Sequence, residues 1–406
     1  MRNYVLILTL MLVAQTAGAQ SKPISLTENT RKVILNDYDT NYEFHDGLLA
    51  VKNGETHRWG FIDEQGNKVV DYKWEYKSFA YPQFGGGACL VCRSQRDGLG
   101  IPYYVWYVID KQGRAIKLNG NVVDHAPYND DGYAIVVKKL NDTYAKCTYI
   151  DSKGREVFPS VAQTVATLDP ECPERVRPFS DGLAAFRHIK KRRYGFIDKA
   201  GRIVCQPDFL EVQDFSEGMA AVKVEDNGGR WGFIDTSGRM VIPPKFSNEP
   251  YPFRDGKASV EKRDGSVVMI DKTGSVVGPV FKDIRNFYLG YAYAQFEGKR
   301  YLDIVDENFE IVREQVEGKR LEPRNRKGSC PIEFINGYST WEGDPGFSLP
   351  LLLSPIGKEL RFKSNWGENI DVAHRTDKII HVKLKEYDGF IDYDGNMVFY
   401  FAEEEF

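Results

Sequence analysis

The chain has 406 residues and a formal charge of -4, from 54 Lys and Arg against 58 Asp and Glu. Its pI of about 6.0 leaves no global basic field, so binding to nucleic acid is disfavoured. The aromatic share of 13%, with 37 Gly and 19 Pro, excludes a disordered chain and favours a soluble β-rich fold with many turns.

The N-terminal residues have the pattern of a secretory signal peptide. Arg2 supplies a positive charge, an apolar run extends from Tyr4 to Ala14, and Ala17-Gly18-Ala19 is a small-residue cleavage pattern. We expect residues 1–19 to be removed and the mature chain to begin at Gln20. An uncleaved anchor is the alternative, but the run is shorter than the ~20 apolar residues that cross a bilayer. The sequence therefore predicts export to the periplasm, cell envelope or extracellular space, with no membrane span after cleavage.

Six cysteines are compatible with disulfides in an exported chain. Six cysteines allow about fifteen pairings, and the sequence does not choose among them. Cys172 and Cys330 each precede a proline, which makes them the first pair to test. Cys89-Leu-Val-Cys92 resembles a redox motif, but residues three apart on a strand point to opposite faces, so a structural role is favoured.

One motif recurs along the chain and is its main signal. Three strong copies are Trp59-Gly-Phe-Ile-Asp63, Tyr194-Gly-Phe-Ile-Asp198 and Trp231-Gly-Phe-Ile-Asp235, each with a glycine three residues later. A period of roughly 36 residues with loop insertions accounts for the spacing. Weaker copies contain Asp110, Asp151, Asp271, Asp306 and Asp392, and a ninth, eroded copy is Ser354-Pro-Ile-Gly357.

Two further signatures surround the motif. An aromatic-x-acid-glycine segment precedes it, as in Phe179-Ser-Asp-Gly182 and Phe215-Ser-Glu-Gly218, and an aromatic residue ends the segment after it, as in Pro243-Pro-Lys-Phe246. Each unit is therefore predicted to contain three short strands and a returning loop. Asp235 would cap a hairpin turn, and Gly238 would supply the positive φ that the turn needs.

The strand period of two predicts which motif residues face the core. Trp231, Phe233 and Asp235 share one face. Gly232 and Ile234 lie on the other, where the glycine would admit a neighbouring unit or an opposing ring close to the backbone. We expect the rings to form a core layer, because an aromatic residue that recurs at one strand position is more often core than ligand platform.

The sequence gives only weak indications of a metal site, an anion-binding site or a catalytic site. Asp392-Tyr-Asp394-Gly395 is the copy most like a calcium loop, but calcium needs several oxygen ligands and most copies offer one Asp, so turn capping is favoured. The run Lys190-Lys-Arg-Arg193 and the loop from Arg320 to Lys327 could contact an anionic partner, although a solvated hairpin turn is the simpler interpretation of the run. The catalytic and nucleotide-binding motifs are missing, so we predict no enzyme and no catalytic, cofactor-binding or metal-binding residues.

These motifs resemble the WG-repeat family, named for its Trp-Gly pair. The resemblance extends over residues 40–400 and is strongest from Phe179 to Phe281. It implies a β-rich repeat protein of a class regarded as interaction scaffolds, with no catalytic motif. Trp59 and Trp231 keep the tryptophan and Tyr194 replaces it conservatively, whereas Asp388 in the last copy suggests a capping role.

The predicted organisation follows from these repeats. We predict an all-β fold, a tandem array of about nine three-stranded β-meander repeats in an open or ring-like superhelix. A β-propeller is the alternative, but propellers typically have about four to eight blades of four strands. The segments are 1–19, signal peptide; 20–40, lead-in; 41–175, repeats 1–3 with insertions; 176–320, repeats 4–7; and 321–406, degenerate repeats 8–9 as a cap.

The absence of catalytic motifs favours a non-catalytic exported scaffold that mediates protein–protein interaction in the cell envelope. The partner is a protein that the sequence does not identify. A carbohydrate-binding module is the alternative, and a glycan would then be the ligand. It is motivated by aromatic residues in insertions, Tyr103-Tyr-Val-Trp106-Tyr107 and Tyr338-Ser-Thr-Trp341.

Overall fold

The computed structural model describes residues 20–35, 37–77, 81–159, 161, 163–166, 176–188, 191–225, 229–284, 287, 290–299, 302–316, 339–341, 351–353, 359–363, 376–384 and 387–402. The elements bounded within these ranges are β-strands, and they form nine small sheets. The predicted signal peptide, residues 1–19, lies outside the described residues. No helix in the described part of the chain is long and apolar enough to span a membrane.

The first three sheets follow the chain after two leading strands, β1 (Gln20–Pro23) and β2 (Arg31–Ile34). Sheet 1 contains β3 (Tyr38–Asp39), β4 (Phe44–His45), β5 (Leu48–Asn53), β6 (Arg58–Asp63) and β7 (Lys68–Trp74). Sheet 2 contains β8 (Ala88–Arg96), β9 (Pro102–Asp110) and β10 (Ala115–Lys117). Sheet 3 contains β11 (Asn121–Ala126), β12 (Tyr133–Lys139), β13 (Tyr144–Asp151), β14 (Glu156–Val157) and β15 (Gln163–Ala166).

Sheets 4 to 6 include the two strongest motif copies after the first. Sheet 4 contains β16 (Val176–Ser180), β17 (Leu183–His188), β18 (Arg193–Asp198) and β19 (Ile203–Phe209). Sheet 5 contains β20 (Glu211–Val212), β21 (Met219–Val224), β22 (Arg230–Asp235) and β23 (Met240–Phe246). Sheet 6 contains β24 (Lys257–Glu261), β25 (Val267–Asp271) and β26 (Val276–Phe281).

Sheets 7 to 9 end the chain, and the leading strands join the last two. Sheet 7 contains β27 (Asp283–Ile284), β28 (Tyr291–Gln295), β29 (Leu302–Asp306) and β30 (Ile311–Val316). Sheet 8 contains β31 (Ser339–Trp341), β32 (Leu351–Leu353) and β33 (Glu359–Lys363), with β1 parallel to β33. Sheet 9 contains β34 (Ile379–Lys383), β35 (Asp388–Asp392) and β36 (Met397–Ala402), with β2 beside β36.

The predicted all-β repeat fold is confirmed, with one sheet for each of the nine predicted repeats. Three antiparallel strands are common to the sheets, but seven of the nine have a fourth or fifth strand. The extra strands are mostly short: β20 contains only Glu211 and Val212. A segment of two residues has no recognisable periodicity, which is why the sequence did not predict it. The number of strands therefore no longer argues against propeller-like blades.

The chain divides into two compact units, which are described separately. Unit 1 comprises Met1–Lys32 with Gly278–Phe401, and unit 2 comprises Val33–Val277 with Ala402–Phe406. Sheets 1 to 5 lie in unit 2 and sheets 7 and 8 in unit 1. The division runs through β26 in sheet 6 and β2 in sheet 9.

In unit 2, consecutive sheets stack through side chains that alternate along each strand. Trp231 and Phe233 of β22 belong to a core shared with sheet 6, where the rings of Phe233 and Phe253 are 5.0 Å apart. Ile234 belongs instead to the core shared with sheet 4, which contains Phe196. The predicted faces of this strand are therefore confirmed, and the recurring rings are core residues.

In unit 1, the segment predicted as a lead-in takes part in the last repeat. The Ser25 N–H donates to the Gly395 carbonyl at 3.0 Å, and the Met397 N–H donates to the Ser25 carbonyl at 2.8 Å. The Thr30 hydroxyl donates to the Met397 carbonyl at 2.7 Å, and Ile24 is buried in the core of sheet 9. Polar residues without strand periodicity gave no sign of this pairing.

Candidate interaction surface

In the eight repeats that have a motif aspartate, the chain turns from the motif strand into the third strand at that residue. In sheet 5, Oδ1 of Asp235 accepts hydrogen bonds from the N–H groups of Ser237, at 3.0 Å, and Arg239, at 3.1 Å. The Arg239 Nε donates to Oδ2 at 3.1 Å. The predicted turn-capping role is confirmed. The motif aspartates that accept the same two backbone N–H groups are Asp63, Asp110, Asp151, Asp198, Asp271, Asp306 and Asp392.

The turn hydrogen bonds of sheet 5 favour the ionised form of Asp235. The Ser237 hydroxyl, which donates to Oδ1 at 2.5 Å, and the turn amides together lower the pKa of Asp235 to about 2. Asp392, in the loop most like a calcium site, accepts the two turn amides at 2.9 Å each. Among the described residues, no group of three or more His, Cys, Asp or Glu side chains could hold a metal ion.

The glycine of the motif faces a bulge in the third strand of its own sheet. A Cβ built on Gly232 would lie 2.5 Å from the Ile242 carbonyl oxygen and 2.9 Å from the Pro244 nitrogen. The register between β22 and β23 shifts here, which brings the β23 backbone against the glycine. Gly195 has the same relation to the Cys205 carbonyl, at 2.5 Å. The expected close approach exists, but at Gly232 the approaching group is the neighbouring strand, not another unit or a ring.

Acidic residues of the aromatic-acid-glycine turns join consecutive sheets of unit 2. Glu217 and Gly218 have φ of 53° and 80°, as in a type I′ turn. The Glu217 carboxylate accepts the N–H of Gly256, in the next repeat, at 2.9 Å, and its carbonyl oxygen accepts Lys272 Nζ at 2.8 Å. Asp181 accepts the Gly218 N–H at 2.7 Å. These bonds tie sheet 4 to sheet 5 and sheet 5 to sheet 6, so surface side chains at equivalent positions of these three sheets form a regular series.

Sheets 4, 5 and 6 expose one apolar side chain each at the start of the third strand. Ile203, Met240 and Val276 are 40%, 37% and 55% exposed, and each stands two residues after the positive-φ glycine of its turn. Arg202 and Arg239 precede the first two, and their side chains are 81% and 78% exposed although each pairs with its motif aspartate. We name these five residues the third-strand row.

Prolines protect the edge strands that carry the row. β19, β23 and β26 each lie at the end of the strand order of their sheets. Pro207, Pro244 and Pro279 within them have no N–H, so another strand cannot continue the sheet along them. Pro243 precedes Pro244 in β23 and lies on the same edge strand. The row therefore offers side chains, and not backbone groups, to a partner.

Trp106 belongs to the repeat core and is not an exposed insertion residue. It stands four residues before Asp110, the position that Trp59 holds in its own repeat, and it is buried. Its ring centroid lies 4.5 Å from that of His125. The copy that contains Asp110 was predicted, but Trp106 was assigned to an insertion because Tyr107 replaces the motif glycine. Counting back four residues from each motif aspartate would have found it.

Among the other aromatic residues named for carbohydrate binding, those with described side chains include one exposed ring, that of Tyr103. Tyr103 is exposed, whereas Tyr104 is half-buried with Lys77 Nζ 4.5 Å from its ring centroid. Tyr338 lies outside the described residues, and only the backbone of Trp341 is described. Among the members of this set whose side chains are described, Tyr103 therefore has no second exposed ring with which to form a stacking platform.

Cys89 and Cys92 point into two different cores, as expected for residues three apart on a strand. Cys89 lies in the core shared by sheets 1 and 2, and Cys92 in the core shared by sheets 2 and 3. Burial raises the pKa of Cys92 to about 12, which opposes thiolate chemistry. Cys172 and Cys330 lie outside the described residues. Cys89, Cys92 and Cys205 are free and buried, and Cys147 is buried in the core shared by sheets 3 and 4.

The basic run lies in the turn between β17 and β18, as predicted. Lys191 Nζ donates to Asp208 at 3.3 Å, and Arg193 donates to Glu225 at 2.9 Å. These two cations are therefore partly balanced. The remaining predicted basic residues, Lys190 and the loop 320–327, lie outside the described residues.

Comparison with known proteins gives one family-model match and only weak similarities to solved structures. No curated protein gives a significant match to the chain. Among solved structures, BamB from Moraxella catarrhalis is 14% identical, with 80% of this chain and 97% of that chain covered and a TM-score of 0.34. A eukaryotic initiation factor is 10% identical, with 83% and 89% covered and a TM-score of 0.43. The computationally designed Ika8 protein is 12% identical, with 77% and 93% covered and a TM-score of 0.36. At these identities and TM-scores, the solved structures support no conclusion about the function of this chain.

The family evidence coincides with the geometry. The WG containing repeat family matches residues 59–80, 194–227 and 231–265. These segments begin at Trp59, Tyr194 and Trp231, the buried or half-buried ring positions of β6, β18 and β22. The chain is therefore a repeat protein that carries WG containing repeats at these three segments.

Proposed function

We propose that this protein is a non-catalytic, exported scaffold that binds a protein partner in the cell envelope through the third-strand row. The observation that carries the proposal is the row itself. An apolar side chain is exposed at one position of three consecutive sheets, and an arginine flanks it in two of them.

The composition of the row suits a protein interface. Protein interfaces are enriched in Met and Arg, and their buried centres are apolar. Met240 has a flexible, polarizable side chain that adapts to a partner surface. Arg239 is held by Asp235, with a closest distance of 3.0 Å, so it loses little rotamer freedom on binding. Export is supported by the signal-peptide pattern of residues 1–19.

The experiment is a chemical crosslinking pull-down of the tagged protein from its native cells, read by mass spectrometry. The test variant carries Ile203→Asp, Met240→Asp and Val276→Asp. The matched control carries Val69→Asp and Ile116→Asp, which change exposed apolar residues on the third strands of sheets 1 and 2. The charges sit on exposed positions, so neither variant should unfold the sheets.

We expect one dominant protein that the wild type and the control capture and the row variant does not. Capture that is equal in all three proteins would contradict the role of the row. Only abundant background proteins with the wild type would contradict the scaffold itself.

A further inference from the structure

We propose that the tip of the β8–β9 hairpin docks this protein on an anionic lipid bilayer. The tip exposes the most accessible large apolar residue of the described chain, Leu99, at 85%. Ile101 is 56% exposed, and the ring of Tyr103 is exposed beside it. The third-strand row does not include this tip, so the proposal goes beyond the proposed function.

The tip projects because its hairpin is longer than those of other repeats. β8 and β9 pair from Ala88 and Asp110 to Arg96 and Pro102, which is nine pairs. The equivalent hairpins of sheets 1, 4 and 5 have six pairs. Three additional pairs, with a rise of about 3.3 Å per residue, carry the tip about 10 Å beyond those of sheets 1, 4 and 5. The hairpin of sheet 3 has seven pairs, so the tip extends about 7 Å beyond that one.

Internal hydrogen bonds order the tip and leave its apolar side chains outside. Oδ1 of Asp97 accepts the N–H groups of Leu99 and Ile101, at 2.9 Å each. The Asp97 N–H donates to the Ile101 carbonyl, and Arg96 donates to the Gly100 carbonyl at 2.9 Å. Polar groups of the turn are thus satisfied within it. Insertion would bury apolar side chains without breaking these bonds and with little loss of chain entropy.

Neighbouring hairpins place apolar and basic residues at the same end of their sheets. The turn between β12 and β13 exposes Leu140 and Tyr144, and Lys139 lies beside them, paired with Asp142. The turn between β17 and β18 exposes Arg192. Each of the three turns leads into the motif strand of its sheet, and it therefore lies at the end away from the motif-aspartate turn.

This mixture of residues favours a bilayer over a protein groove. Leucine and tyrosine insert at the boundary between headgroups and acyl chains, and arginine and lysine contact anionic headgroups beside them. The apolar residues lie at the tips of separate loops. Separate tips can each insert into a deformable lipid surface, whereas a flat protein surface would contact few of them at once. The net charge of -4 provides no global attraction, and Asp97 and Asp142 offset the charges of Arg96 and Lys139. Arg192 is therefore the residue that supplies local attraction to anionic headgroups.

The test is flotation of the purified protein with vesicles of phosphatidylcholine alone or mixed equally with phosphatidylglycerol. The tip variant carries Leu99→Asn and Ile101→Asn, and Arg192→Glu is a separate variant. The matched control carries Val69→Asn and Ile116→Asn, which replace exposed apolar residues on third strands, near the motif-aspartate turns and away from the tips. Mass spectrometry establishes whether residues 1–19 have been removed; every variant shares the same N-terminus, so differences report on the changed residues.

We expect wild type and control to float with mixed vesicles, and the tip variant to partition at least about tenfold less, because two apolar side chains no longer enter the bilayer. Arg192→Glu should weaken binding to mixed vesicles and leave any binding to phosphatidylcholine unchanged. Failure of the wild type to float, equal flotation of the tip variant, or equal loss in the control would overturn the proposal. So would crosslinking of the tip to a protein while vesicles remain unbound. The pull-down with the third-strand row is independent of all of these outcomes.

Discussion

Gly232→Ala tests the account of the repeat motif, because it adds one methyl group where β22 meets the bulge of β23. The new Cβ would lie 2.5 Å from the Ile242 carbonyl oxygen, 2.9 Å from the Pro244 nitrogen and 3.1 Å from the Pro243 carbonyl carbon. All three are backbone atoms. Ordinary contacts are roughly 3.5 Å, so β23 must move by roughly 1 Å.

The expected cost follows from two opposing effects. Overpacking costs about 1–3 kcal/mol, and the rigid backbone neighbours place this case at the upper end. Replacing glycine restricts the unfolded chain and offsets about 0.4–1 kcal/mol. The net loss is about 2 kcal/mol, which corresponds to amide exchange about thirtyfold faster.

Hydrogen exchange read by mass spectrometry measures this loss locally. Peptides that cover β21 to β23 should exchange faster in the variant, whereas peptides that cover β5 to β7 in sheet 1 should not change. Gly98→Ala is the control, because no atom lies within 4 Å of its added Cβ. Unchanged protection in sheet 5 of Gly232→Ala, or an equal effect of Gly98→Ala, would refute the role of the bulge.

Three further predictions follow from the same structure. The carboxylate of Asp235, whose pKa is lowered to about 2 from its unfolded value near 4, stabilises the fold fully above about pH 4 and loses that effect as the pH falls through 2. The difference in unfolding free energy between wild type and Asp235→Asn should therefore shrink from pH 4 to 2, and a constant difference would contradict this. Trp106→Ala should lower the free energy of unfolding, measured with denaturant, by about 3–5 kcal/mol, because the Trp106 ring is buried. Glycans should not quench the tryptophan fluorescence of the wild type. In a Cys172→Ser, Cys330→Ser background, Ellman's reagent should find no reactive thiol until denaturant exposes the four buried ones.

The recurring residues of this chain were predictable because each has a local reason for its identity. The period of two assigned Trp231 and Phe233 to one face of β22, and the core shared with sheet 6 confirms it. Asp235 was predictable as a turn cap because a carboxylate at the start of a turn reaches the amides two and four residues on. Such features need only the residues that lie within one hairpin.

The features that were missed depend on contacts distant in sequence. Ser25 pairs with Gly395 and Met397, and nothing in the polar lead-in indicates that partner. Trp106 was read as an insertion because its repeat lacks the motif glycine. Met240 and Ile242 are both apolar residues of β23, but Met240 is exposed and Ile242 is buried. The difference depends on which neighbour covers each face of the strand. Hydrophobic residues alone therefore did not reveal the third-strand row.

Photo-crosslinking from within the third-strand row tests the central proposal most directly. A benzophenone amino acid at position 240, in otherwise wild-type protein, would be irradiated in native cells and its adduct identified by mass spectrometry. The same probe at position 69 in sheet 1 is the control. The scaffold proposal predicts one protein crosslinked from position 240 and from position 203, but not from position 69. The same adducts from all three positions, or none from the row, would contradict it.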